Sequence, residues 1–138
     1  MITLRNLLGQ PAVSLDSAER TGKVTGVVID GDHVVAVGVD KAVVAASAVP
    51  TFDGDALTYH EGGTTSADPD RVVNPVGRRV LTVAGELLGV IEDLEISPDG
   101  RVERLLLERD QALDGTRLRV IGSYAAIMDL APLPPPSP

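Results

Sequence analysis

The residues able to do proton chemistry near neutral pH are few and scattered. His33 and His60 are the only imidazoles, the side chain whose ordinary pKa of about 6.5 suits proton shuttling. Carboxylates stand close together in Asp30 with Asp32, Asp53 with Asp55, and Glu92-Asp93-Glu95. Such pairs can divide acid and base roles when one member is desolvated beside the other. Each of these groups falls in a Gly/Asp turn pattern or on an exposed strand edge, so solvated turn acids are expected. Asp53-Gly54-Asp55 resembles the opening of a calcium loop, but the remaining oxygen ligands do not follow at the required spacing. The chain has no cysteine, which excludes thiolate nucleophiles, Fe–S clusters, Cys-ligated zinc and disulfides together. Neither histidine has a third nitrogen or sulfur ligand to complete a metal site. No Gly-x-Ser-x-Gly elbow or Gly-rich phosphate loop occurs, and Gly62-Gly63 is flanked by linker composition. The expectation is a protein that is not an enzyme and carries no cofactor.

Charge narrows the partners. Of 138 residues, 12 are basic and 20 acidic, a net charge of −8. Nucleic-acid affinity comes largely from Lys and Arg neutralising phosphates, so nucleic acid is not the expected partner. Every basic residue of the second half is an arginine, among them Arg101, Arg104, Arg117 and Arg119. Arginine forms forked hydrogen bonds to carboxylates and phosphates, so a cluster would suit an acidic protein face or RNA. Interleaved Glu92, Glu103 and Glu108 make cross-strand ion pairing the plainer expectation. The aromatics that stack on single-stranded bases are missing, Phe52, Tyr59 and Tyr124 being the only three rings.

The elements that must position these groups are strands. Hydrophobic residues make up 43% of the chain, and they are Val, Leu, Ala and Ile, which favour tightly packed strands over an aromatic-filled cavity. The stretch from Leu8 aligns with that from Val76 at an offset of about 68 residues: Gly9 with Gly77, Gly22 with Gly89, Val24 with Ile91, Val27 with Leu94, Ile29 with Ile96 and Val34 with Val102. Asp30-Gly31-Asp32 and Pro98-Asp99-Gly100 then read as β-hairpin turns. On the long strand of each copy, apolar positions are separated first by three residues and then by two. One inserted residue, a β-bulge, restores inward pointing on both sides and curls the sheet. Helix is expected to be scarce: one turn capped by Thr3 and stopped by Gly9, and single turns near 47–49 and 123–127 with Ser47 and Ser123 as caps.

These residues resemble the PRC-barrel family, named from the cytoplasmic domain of the photosynthetic reaction centre H subunit and shared with the C-terminal domain of the ribosome maturation factor RimM. The first copy carries the resemblance through residues 9–16, Gly22-Lys23-Val24, 27–30, 33–39 and 44–49. The second does so through 77–83, 85–93, 101–107 and 118–129, with Gly85-Glu86-Leu87-Leu88-Gly89-Val90-Ile91-Glu92-Asp93 the stronger match. The resemblance implies an all-β chain of two tandem small barrels, and a non-catalytic adaptor that binds proteins. RimM-like members extend this to ribosomal or RNA-associated assembly as an alternative, and a small-ligand or metal carrier is a third reading.

The expected organisation is a first repeat over 1–60, a linker over 61–74, a second repeat over 75–130 and a Pro-rich tail over 131–138. The tail contains the PxxP match Pro132-Leu133-Pro134-Pro135 and reads as an extended end. Strict alternation places Val35, Val37 and Val39 together on one face and sets Leu106 opposite Leu105 and Leu107. A small barrel has one interior, so an outward aliphatic set needs cover. Two covers are open: a barrel-to-barrel or homodimer interface, or burial by the other half of the same chain. Candidate interaction residues are therefore Val35, Val37, Val39, Leu106, Arg101, Arg104, Arg117 and Arg119, with a protein partner and a homodimer or tight pseudo-dimer of barrels as the expected assembly. No apolar run approaches the roughly 18 residues of a membrane span, and the opening MITLRNLLGQ lacks a signal peptide's pattern, so a cytoplasmic location is expected.

Overall fold

The computed structural model describes residues 1–63 and 69–130, so the tail over 131–138 lies outside the described residues. Its one α-helical turn is α1 (Leu4–Leu7), where the Thr3 hydroxyl accepts the Asn6 N–H at 3.3 Å and Gly9 follows with φ +84°. The remaining regular structure is strand, with short 3-10 turns between. The first half supplies β1 (Ile2–Thr3), β2 (Pro11–Ser14), β3 (Arg20–Asp30), β4 (His33–Val39), β5 (Ala42–Ala45) and β6 (Leu57–Tyr59). The second supplies β7 (Arg79–Thr82), β8 (Leu87–Ile96), β9 (Val102–Leu107), β10 (Gln111–Asp114), β11 (Leu118–Ile121) and β12 (Ala125–Met128). Their ladders make one open sheet in the order β10-β9-β8-β7-β12-β11-β3-β2-β6, with β1 added to β8 and the β4–β5 hairpin branching from β3. The chain is all-β.

Bulges sit where the apolar spacing demands them. In the β3–β4 ladder Val24 faces Val39 and Gly26 faces Gly38, leaving Thr25 as the extra residue. In the β8–β9 ladder Ile91 faces Leu107 and Asp93 faces Leu106, leaving Glu92 extra at the aligned position. Val24, Val27 and Ile29, and likewise Ile91, Leu94 and Ile96, are consequently all buried. Two further bulges correspond between the halves: Thr21 with Leu88, and Val35 with Glu103. Buried hydroxyls correspond as well. Ser14 Oγ accepts the Asp16 and Ser17 N–H groups, and Thr82 Oγ1 accepts those of Ala84 and Glu86, each satisfying a tight turn whose amides would otherwise be orphaned.

The halves share one contiguous core, in which Leu4, Leu7, Val27, Val37 and Leu57 pack with Val80, Leu94, Leu105 and Met128. The hairpin tips meet back to back: His33 bridges Arg101, the Val34 N–H donates to Gly100 O at 2.8 Å, and the Val102 N–H donates to Asp32 O at 2.7 Å. Shifting every residue by 68 exchanges these two bonds, which is the relation an isologous two-fold contact imposes. The swap extends further, because the Phe52 N–H reaches Pro98 O while Val120 pairs with Asp30.

Three sequence expectations need correction. Val37 and Val39 do not face outward with Val35; they are 0% and 3% exposed and belong to the core, whereas Val35 is 40% exposed. Val35 is itself a bulge residue, so the side-chain alternation of β4 resets after it. Residues 123–127 do not form a helical turn: Ala125–Met128 is β12, paired parallel with β7 and antiparallel with β11. The turn is instead Gly115–Arg117, capped by the Asp114 carboxylate, while Ser47 lies inside the turn Ala46–Ala48 and caps nothing. The described ends of the 61–74 segment are docked: the Glu61 N–H donates to Asp16 Oδ2 at 2.8 Å, and Val73 exchanges two 2.9 Å backbone bonds with Val27.

Candidate interaction surface

The outer face of each half, turned away from the shared core, is where the halves part company. In the first half this face carries Val28, Ala36 and Val43, with Val72 packed against them. Gly26 and Gly38, cross-strand partners, leave the room: a Cβ on Gly38 would stand 2.6 Å from Val72 Cγ1, and one on Gly26 would stand 2.6 Å from Val73 O. The face is sealed by the segment that precedes β7.

At the aligned positions the second half has Asp93 for Gly26, Glu95 for Val28, Arg104 for Ala36 and Leu106 for Gly38. No backbone can lie on that surface as Val72-Val73 does on the glycines. Instead α1 flanks it: the Arg5 N–H donates to Asp93 Oδ1 at 3.1 Å, and Arg5 Nε donates to Glu92 O at 2.8 Å. Between α1 and the β9–β10 hairpin a groove of about 420 Å³ remains, lined by Arg5, Asp93, Leu106, Asp110, Gln111 and Ala112 among others. Beyond Gln111 lies a second depression of about 310 Å³ lined by Leu87, Leu88 and Arg109, where Leu87 is 62% exposed. Among the described residues β10 pairs with β9 alone, so its other edge is free.

The candidate arginines do not gather into one patch. Arg104 forks onto its cross-strand partner Glu95 at 3.1 and 2.5 Å, which raises the guanidinium pKa. Arg101 lies at the hairpin tips with Nε 3.7 Å from Asp32 Oδ2; that nitrogen is shielded from water and makes no hydrogen bond among the described residues. Asp114 is held below the ordinary value of 3.8 first by the Thr116 N–H, then by the Thr116 hydroxyl, with Arg101 and Arg117 adding attraction. Arg119 is exposed on β11, where its carbonyl accepts the Gly31 N–H at 3.1 Å. Leu106 is half-buried opposite the buried Leu105 and Leu107, as the alternation implied.

Of the candidate acids and histidines, Asp32 and His33 come together. His33 Nδ1 contacts Asp32 Oδ1 at 2.8 Å on an exposed tip. Asp99 there accepts the Ser97 hydroxyl, which is the main reason its pKa lies below 3.8. Asp53 and Asp55 are exposed on either side of Gly54, whose carbonyl accepts Gln10 Nε2 at 2.9 Å. Among the described residues no three His, Asp or Glu side chains converge in a way that could hold a metal ion, and no helix is long and apolar enough to cross a membrane. Arg5, Asp110, Gln111 and Ala112 were not singled out by the sequence. The signal that leads to them is the replacement of the aligned pair Gly26 and Gly38 by Asp93 and Leu106. No family model matches the chain, and no curated protein matches it either.

Proposed function

We propose that the chain is a non-catalytic interaction protein: two PRC-barrel-like modules, 1–60 and 75–130, fused in tandem as a pseudo-dimer, which holds a protein partner on the outer face of β8, β9 and β10. One observation carries this reading. The same surface is sealed by Val72-Val73 in the first half and left as an open groove in the second. The first half's face is apolar and covered from within the chain, whereas at the aligned positions Asp93, Glu95 and Arg104 surround Leu106, a face that water tolerates and that stays open to a partner. The outward aliphatic set anticipated on β4 offers no rival surface, because Val37 and Val39 are core. The RNA-associated alternative is less supported, since Arg104, Arg101 and Arg117 each face a carboxylate rather than a common site.

Affinity capture with the full chain, compared across groove and control variants, tests the proposal. Ala112→Arg and Leu106→Arg should lose the partner, while Arg119→Ala, on β11, keeps it. Equal capture by all three, with far-UV circular dichroism unchanged, removes the proposal.

A further inference from the structure

We infer that the groove takes an extended, basic segment of a partner protein, added as a further strand on the free edge of β10. This rests on the interaction reading above and specifies its ligand. Three observations carry it.

The first is the edge itself. Natural sheets protect exposed edges with proline, lysine, a bulge or a covering element. Gln111-Ala112-Leu113-Asp114 contains neither proline nor lysine, its ladder to β9 runs through all four residues without a bulge, and among the described residues no strand pairs with its outer side. The outward amides and carbonyls of such a strand are ready to bond an added strand.

The second is charge. Arg104 is already neutralised by Glu95, whereas Glu92 and Asp110 line the groove without an ion-pair partner among the described residues. Arg5 is the one remaining cation of the lining, set against Glu92, Asp93 and Asp110. The local balance has the sign of the whole chain, −8, and it favours a cationic ligand.

The third is the floor. An added strand sends alternate side chains onto the outer face at a spacing of about 7 Å. There they meet exposed Ala112, which suits an aliphatic side chain, with Asp110 at the head of β10 for a neighbouring Lys or Arg; Leu106 on β9 and Glu92 on β8 lie further in and are reached across Ala112 by a long basic side chain. Apolar contact and main-chain bonds would supply affinity, and the acids would supply specificity and salt dependence.

A displayed library of random eight-residue peptides, selected on the full chain, tests this directly. Enriched peptides should be net basic, carry an aliphatic residue, and lack proline at their centre. As synthetic fluorescent peptides they should bind more weakly as salt rises, and lose about tenfold or more in affinity, some 1.4 kcal/mol, on Ala112→Arg or on central proline substitution. Glu92→Gln with Asp110→Asn should weaken basic peptides while sparing neutral ones. Because Leu106→Arg alters a half-buried position, the exposed Ala112→Arg is the deciding variant. Hydrogen exchange should show protection of the β10 amides on binding.

Enrichment of acidic or proline-rich peptides, insensitivity to Ala112→Arg, or no enrichment at all overturns the inference. So does a concentration-dependent dimer abolished by Ala112→Arg, which would assign the edge to a second copy of this chain. If the groove variants still lose the captured partner while the peptides fail, the interaction reading survives and the basic-strand inference falls. If capture is indifferent to the groove, both fall.

Discussion

The seal over the first half makes a sharp prediction, because both glycines meet Val72 Cγ1 but only Gly26 also meets the backbone of the covering segment. Gly38→Ala would place its Cβ 2.6 Å from Val72 Cγ1 and 2.8 Å from Thr25 Oγ1, both ends of side chains. Gly26→Ala would place its Cβ 2.6 Å from Val73 O, a backbone atom bonded to the Val27 N–H. Overpacking of this kind costs about 1–3 kcal/mol, so each single substitution should lower stability by about 2 kcal/mol. Val72→Ala alone deletes two methyl groups from a half-buried side chain, a loss of about 1 kcal/mol at roughly 0.8 kcal/mol per buried methylene equivalent. Combined with Val72→Ala, Gly38→Ala no longer meets the methyl group, and alanine is better than glycine in a strand by about 0.5–1 kcal/mol. In that background the contact left to Gly38→Ala is the Thr25 hydroxyl at 2.8 Å, a side-chain end that can rotate aside, so the substitution should cost at least about 1 kcal/mol less than it does alone, a coupling of about 1–2 kcal/mol. Gly26→Ala should remain destabilising, because the carbonyl does not leave with the side chain. Urea denaturation followed by far-UV circular dichroism reads all the variants, the chain having no tryptophan. Additivity of Gly38→Ala with Val72→Ala, or equal rescue of Gly26→Ala, would refute the account of how Val72-Val73 seals this face.

Other consequences follow from the same geometry. Ala18 holds φ +59° at a turn whose aligned position is Gly85, φ +83°; thermal melts should show Ala18→Gly stabilising and Gly85→Ala destabilising, each by about 1 kcal/mol. A Cβ on buried Gly115 would overlap the Val102 carbonyl, so Gly115→Ala should cost about 3 kcal/mol or more by displacing the turn after β10, and a melt within a degree of wild type would count against the close approach. The carboxyls of Asp99 and Asp114 lie below their ordinary value of 3.8 in the folded chain. The stability they add is present above that value and is lost below it, as pH falls through the lowered values of the folded chain, so the acid limb of a pH–stability curve should be shallower for Asp114→Asn than for wild type. Because the core is continuous across the halves, residues 1–63 and 69–138 produced as separate chains should each lack a cooperative transition and should fold on mixing at one to one, measured by sedimentation and dispersed amide resonances.

Much of this architecture is legible in the order of residues. The repeated three-then-two spacing of Val24, Val27 and Ile29, and of Ile91, Leu94 and Ile96, locates a bulge because a strand's side chains alternate strictly unless one residue is inserted. Thr3 and Gly9 mark the single helical turn by local capping chemistry. The bulge at Val35 is not legible: Val34-Val35-Ala36-Val37 is aliphatic throughout, so no polar residue betrays which side chain is thrown outward. Ser123 looks like a cap, and the competing pull is long-range, since 125–128 gains two strand partners as β12.

The groove combines both kinds of information. Alignment of the halves is a property of the sequence alone, and it already contains the exchange of Gly26 and Gly38 for Asp93 and Leu106. What that exchange does depends on which segment comes to lie over the glycines, and Val72-Val73 arrives there only through its paired bonds to Val27, some 46 residues earlier in the chain. Composition and periodicity determine strands, bulges and turns because these obey local sterics and a side-chain period of two. Which outer face is covered and which stays open is decided by tertiary structure, because cover comes from segments distant in sequence whose approach is limited by the backbone room the sheet leaves them.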